Sequence, residues 1–249
     1  MRSIFTSIFF TLIITTSCTK EVEIYESEPV TDYAPMQTGK YITYRLDSTV
    51  FTNFGQNTVV NSYRERDTIA AQIPDAMGRP SYRIQRTMRN LSGTSAWQPA
   101  GSYFITIADN KVEVIEDNLR FLKLISPIKE DVSWFAHKYL PSKPYSKFSF
   151  SNDAHMVDWE SRYKNMNETL TLNSLSLNNV ITVESIDESL NVPITSPQLY
   201  AFKNYSLEKY SKGIGMVFQE FIMWEYQPNP GGTPYTVGFG VKRSIMDRN

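Results

Sequence analysis

The sequence predicts an all-β protein, mainly antiparallel, built as a curved open sheet or a closed barrel with an apolar interior. Three observations carry that expectation. Short segments alternate apolar and polar residues with period two. Clusters of Asn, Asp and Gly separate those segments. Beyond the first twenty residues, no stretch sustains the 3.6-residue period of an amphipathic helix. Composition agrees, since 15 Tyr and 14 Phe among 249 residues suit pleated, half-buried surfaces better than helices.

The elements follow in order. Ile42, Tyr44, Leu46, Ser48 and Val50 alternate with Thr43, Arg45, Asp47 and Thr49. Turn chemistry at Asn53 to Asn57 leads into a returning strand, Val59 to Ile69. After a Pro- and Gly-containing loop over 74–80, Tyr82, Ile84 and Met88 share one face of a third strand. Arg86 falls on that apolar face, so it is expected to pair with an acid or to lie at the strand end. Ser92-Gly93-Thr94 is a loop, and Trp97 is expected to plug the core. Ser102–Ala108, Asp109-Asn110 and Lys111–Ile115 form the clearest hairpin. Leu119–Ile128, apolar on both faces, reads as a central strand.

Between Glu130 and Asp153 the pattern dissolves into a long loop with room for one short helix. Strands return at Val157–Met166, Glu168–Leu177 and Val180–Ile186, the last two joined at Asn178-Asn179. Ser206–Tyr210, Met216–Tyr226 and Gly238–Ile245 complete the sheet, with Lys212 to Gly215 as a bend. About ten strands joined by short turns make a meander. The domain is expected over 38–249.

Little in this chain suggests catalysis. A metal site needs three or four convergent ligands, and the chain has two histidines and one cysteine. His137 and His155 fall in or beside the irregular segment, where solvent-exposed side chains are expected. No metal ligand, catalytic residue or cofactor-binding residue is assigned, and no cofactor is expected. Gly213-x-Gly215 and Gly238-x-Gly240 lack the third glycine and the following helix of a dinucleotide fingerprint. They read instead as strand bends and close approaches.

Glycosidases need two facing carboxyl groups, and the candidate pairs are Glu116/Asp117, Asp187/Glu188 and Glu220/Glu225. Glu220 alternates with Phe218 and Ile222, so it is expected to face inward and to pair with Arg64, Arg66 or Arg86. Trp97, Trp134, Trp159 and Trp224 either line a ligand groove or fill the core. A net charge of −1 gives no electrostatic case for nucleic acid.

The first residues set the compartment. Arg2, an uncharged apolar run over Ser3 to Ser17, and small residues before Cys18 make a signal peptide too short for a comfortable membrane span. Thr15-Thr16-Ser17-Cys18 resembles the lipobox of bacterial lipoproteins, with Thr15 where many carry Leu. That resemblance implies cleavage after residue 17 and lipidation of Cys18. Thr19-Lys20-Glu21 is similar to the Bacteroidota signal for the outer leaflet of the outer membrane. Residues 18–37, acidic and interrupted by proline, read as a flexible tether.

Tyr210-Ser211-Lys212-Gly213-Ile214-Gly215-Met216-Val217 is similar to a pattern near the end of uncharacterised Bacteroidota outer-membrane lipoproteins. Tyr63-Arg64-Glu65, Gly78 to Arg83, Asn118 to Leu124 and Trp224-Glu225-Tyr226 resemble further signatures of that family. Asp47-Ser48-Thr49 and Asp67-Thr68-Ile69 resemble O-glycosylation sites of Bacteroidota periplasms. The strand endings are similar to LolA-like proteins, and a lipocalin-like barrel is the other expected form.

The expectation is therefore a lipid-anchored envelope protein with a non-enzymatic domain that binds a small apolar molecule, a glycan or a protein. A carbohydrate-active enzyme and a structural subunit of an envelope complex are the rivals. Glu220, Arg86, Trp97 and Trp224 are the residues expected to be inward or structural.

Overall fold

The computed structural model describes residues 28–149 and 155–249. The leader, Cys18 and the first part of the tether lie outside the described residues. One antiparallel sheet of 12 strands runs through the chain. Its strands are β1 (Tyr41–Thr52), β2 (Asn57–Gln72), β3 (Ser81–Asn90), β4 (Gln98–Ala108), β5 (Lys111–Glu116) and β6 (Leu119–Ile125). They continue as β7 (Ser133–Phe135), β8 (Glu160–Leu172), β9 (Leu175–Leu190), β10 (Ala201–Ser211), β11 (Gly215–Gln227) and β12 (Tyr235–Arg248). Each strand pairs with its neighbours in sequence except β6 with β7, and β1 pairs with β12, so the order runs β6-β5-β4-β3-β2-β1-β12-β11-β10-β9-β8-β7.

Right-handed twist curls such a sheet toward closure, and the two ends of the ladder meet. Leu122 N–H donates to Ala136 O at 2.8 Å, and Trp134 Nε1–H donates to Leu122 O at 2.7 Å. The all-β antiparallel expectation is therefore met, as a nearly closed barrel with a seam between β6 and β7. The strand expected to be central, Leu119–Ile128, is instead the last of its ladder. It is apolar on both faces because the stretch around β7 covers it: Leu122 and Leu124 pack in one cluster with Trp134 and Ala136.

Two boundaries differ from the sequence reading. Three strands expected over 157–186 are two long ones, turning at Asn173 and Ser174, which both have positive φ. Asn165, Asn167 and Asn179 also have positive φ, but they fall inside the strands, where the β8–β9 register shifts between Lys164 and Leu170. An asparagine accommodates a bulge as readily as a turn, so local composition could not choose between them. The irregular segment holds β7 and a short 3₁₀ turn, Ser146–Phe148, and its last part falls outside the described residues.

Glu28–Gln37, expected within the tether, is packed. Helix α1 (Val30–Tyr33) buries Val30 and Tyr33, and Ala34 is buried after it, in a cluster with Tyr163, Tyr210 and Val112. Gly213 N–H donates to Asp32 O at 2.7 Å, and Lys212 Nζ lies 2.6 Å from Glu28 Oε1 and 3.3 Å from Asp32 Oδ2. This segment closes one end of the barrel.

Candidate functional site

Strand alternation decides what enters the barrel. Along β2, Glu65, Asp67 and Ile69 are buried while Arg64, Arg66 and Thr68 alternate with them. Along β10, Ser206, Glu208 and Tyr210 are buried. The same alternation carries Arg86 from β3, Gln219 from β11 and Arg243 from β12 to the interior wall. These strands enclose a cavity of about 560 Å³, within the usual size range of small-molecule pockets.

The cavity has three zones. Near α1 its wall is aliphatic, with Met36, Ile42, Ile69, Ile84, Ile105 and Val112. At the far end it is aromatic: Tyr145, Phe221 and Phe239 lie with ring centroids 5.1–5.9 Å apart, and Phe121 joins them. Between the two lies a belt of charge, so the expected apolar interior is corrected. The reason is mutual satisfaction, because a buried ion is tolerated where partners surround it.

One continuous network makes the belt. Arg86 donates from Nε to Asp67 Oδ1 at 2.9 Å and from Nη2 to Asp67 Oδ2 at 3.1 Å, and it also bonds Glu116. Glu65 lies 3.4 Å from Arg86 Nε and accepts from Arg243 Nε at 2.6 Å. Arg243 also donates to Gln219, whose amide donates to Glu208 Oε1 at 2.8 Å. Lys123 Nζ on β6 reaches the same carboxylate at 2.6 Å. Tyr103 and Tyr210 hydroxyls donate to Asp67 and Glu208 at 2.9 Å and 2.6 Å.

The electrostatics follow from burial against pairing. Burial alone would raise Glu116 and Glu208, but Arg86 and Lys123 respectively outweigh it and hold both below the usual carboxylate range. At Asp67 burial wins, and its pKa is raised despite Arg86. Burial raises Tyr44, Tyr103 and Tyr210 well above the ordinary tyrosine value.

His137 corrects another expectation. It is buried, 4% exposed, with its ring 5.7 Å from Phe121 and 5.3 Å from Trp159. Burial, with Lys123 adding to it, lowers its pKa to about 3, and its Nδ1 has no hydrogen-bond partner among the described residues. His155 is exposed, as expected. Among the described residues no group of three or more His, Cys, Asp or Glu could hold a metal ion.

The residues singled out in the sequence divide. Arg86 is inward and paired with acids, as expected. Glu220 is not inward: Gln219 and Phe221 line the cavity, which leaves Glu220 on the outer face, 3.8 Å from Lys242. Trp224 shares that outer face and is half-buried. Trp97 is no core plug. It stacks between arginines, 4.6 Å from Arg66 and 4.3 Å from Arg89. Trp134 and Trp159 fill the core. Asp187 and Glu188 are exposed.

Sequence reading missed Lys123, Glu208 and His137 as interior residues. The only available signal was an acid in register with buried neighbours on β10.

No family model matches the chain, and neither does any curated protein sequence. Among solved structures the chain is similar to a candidate exported protein with a YmcC-like fold from Bacteroides fragilis. The TM-score is 0.42 and the sequence identity 9%, covering 86% of this chain and 97% of the other.

Proposed function

We propose that this chain is a non-enzymatic binding protein of the cell envelope that houses a small amphiphilic molecule inside its barrel. The observation that carries the reading is the cavity of about 560 Å³, with aliphatic and aromatic ends and a polar belt between them. Such a wall suits a compact molecule with an apolar body and a hydrogen-bonding waist better than a glycan or a protein segment. The resemblance of Thr15 to Cys18 to a lipobox supports an anchor at Cys18, and that of Thr19-Lys20-Glu21 to the Bacteroidota export signal supports an outer-membrane position facing the cell surface.

The carbohydrate-active alternative loses support from the carboxylates. Glu220 faces away from the cavity, Asp187 and Glu188 are exposed, and Glu116 is engaged by Arg86. None of those pairs offers two free carboxyl groups across a cleft.

Native mass spectrometry of the detergent-extracted protein, with titration of the uncharged fluorescent probe N-phenyl-1-naphthylamine, tests the reading. A co-purifying mass of a few hundred daltons, or saturable probe binding, is expected in the native chain. Ile84→Trp, which fills the aliphatic zone, is expected to weaken probe binding about tenfold or more. A bare mass together with probe binding unaltered by Ile84→Trp would overturn the proposal.

A further inference from the structure

The outer face of β2 and β3 carries a second feature, independent of the cavity. Arg64 and Arg66 alternate with the inward Glu65 and Asp67, and Arg64 lies directly opposite Arg89 in the β2–β3 ladder. Like charges in that register repel one another. The loop after β3 then turns back over them. Arg64 Nε donates to Leu91 O at 2.7 Å, and Arg89 Nη1 donates to Gly93 O at 3.2 Å. Gly93 approaches so closely that a Cβ there would lie 3.0 Å from Arg64 Nη1 and 3.4 Å from Arg89 Cζ.

Trp97 stacks on Arg66 and Arg89, and Tyr41 stacks on Arg66 at 4.1 Å. Aromatic faces and backbone carbonyls orient these guanidinium groups without neutralising them. Among the described residues neither Arg64 nor Arg89 pairs with a carboxylate, and Arg66, whose Nε donates to Thr43 Oγ1 at 3.0 Å, has Asp247 as its one carboxylate, at 3.9 Å. Arg89 Nε is also buried without an acceptor. An unsatisfied buried donor beside unneutralised cations asks for an anionic acceptor.

We propose that Arg64, Arg66 and Arg89 form an anion site that takes a tetrahedral oxyanion of the phosphate type. A carboxylate is satisfied by one guanidinium fork. Groups presented from two strands, each with N–H donors left over after the carbonyl and ring contacts, match an anion with oxygens on several sides. The source is either free phosphate or a phosphodiester such as a lipid headgroup.

Isothermal titration calorimetry on the full chain in detergent tests it. The titrants are inorganic phosphate, glycerophosphoglycerol and, as a zwitterionic control, glycerophosphocholine. Saturable binding of phosphate or glycerophosphoglycerol is expected, with a Kd on the order of 1 mM at low salt and weakening as salt rises. Binding of phosphate alone identifies a free-ion site, and comparable binding of the diester identifies a headgroup site. Arg64→Gln and Arg89→Gln are each expected to weaken binding about tenfold. Arg83→Gln, which removes the same charge from the same strand outside the cluster, is expected to leave it unchanged. Absence of saturable binding of either anion, or an equal loss in Arg83→Gln, would overturn the site.

Discussion

His137 sits between Phe121 and Trp159 with no acceptor or donor for its Nδ1 among the described residues. The folded chain resists its protonation down to about pH 3, whereas an unfolded chain takes that proton near pH 6.5. The unfolded state therefore binds more protons across that window. Stability from the neutral imidazole is complete above about pH 6.5 and falls as pH drops toward 3, by up to about 1.4 kcal/mol per unit. Urea unfolding at pH 7 and pH 4.5 should show the native chain losing about 2–3 kcal/mol more than His137→Phe does. Equal losses would mean that His137 does not couple to folding.

The same scale shows what single residues disclose in a sequence. Arg86 was legible, because a cation on an otherwise apolar strand face demands an acid, and Asp67, Glu65 and Glu116 supply three. Glu208 and Lys123 were not legible, because their partnership spans 85 positions and depends on closure of the barrel.

At the scale of elements, β11 explains the error over Glu220. Phe218, Glu220, Ile222 and Trp224 on the outer face hold three apolar groups, and Gln219, Phe221, Met223 and Glu225 on the inner face hold two. Alternation revealed a strand, but it could not say which face was inward, and a shift of one residue exchanges the two.

The glycines of the last strands were better indicators. Gly238 pairs with Trp224, and a Cβ on it would lie 2.2 Å from Met223 O, with φ at +125°. Gly213 also has positive φ, +75°, but a Cβ there meets nothing within 4 Å. Gly213→Ala should cost about 1 kcal/mol, whereas Gly238→Ala should cost about 3 kcal/mol or more because neighbouring backbone must move. Denaturant midpoints of the two variants check the contrast, and similar values would contradict the close approach.

At the scale of the whole molecule, antiparallel class and meander order were legible because hairpins are local. Closure was not, because β6 and β7 meet only once the β1–β12 ladder, pairing residues about 200 positions apart, has curled the sheet round. The seam contacts of Leu122 with Trp134 and Ala136 show no strand pattern of their own. The seam between β6 and β7 and the burial of α1 both depend on three-dimensional proximity that periodicity does not encode. The polar belt also escaped notice, since each of its members looks on its own strand like an isolated exception to an apolar face.

The ladder between β1 and β12 has a kinetic meaning. Among the described strands it is the one ladder between the meander β1–β6 and the meander β7–β12, pairing Ile42 with Arg248 and Val50 with Phe239. Every other ladder links strands adjacent in sequence, so each half can assemble from hairpins with short loops to close. A ribosome or a secretion pore delivers β1 long before β12 exists, and β1 must wait with one edge unpaired. Pulse-labelling hydrogen exchange during refolding should protect the β2–β5 and β8–β11 amides first and the β1–β12 amides last. Simultaneous protection would mean that closure is not a separate step. The protein is thus two zipped halves until its final strand arrives, and that strand also delivers Arg243 to Glu65, completing the belt in the same event.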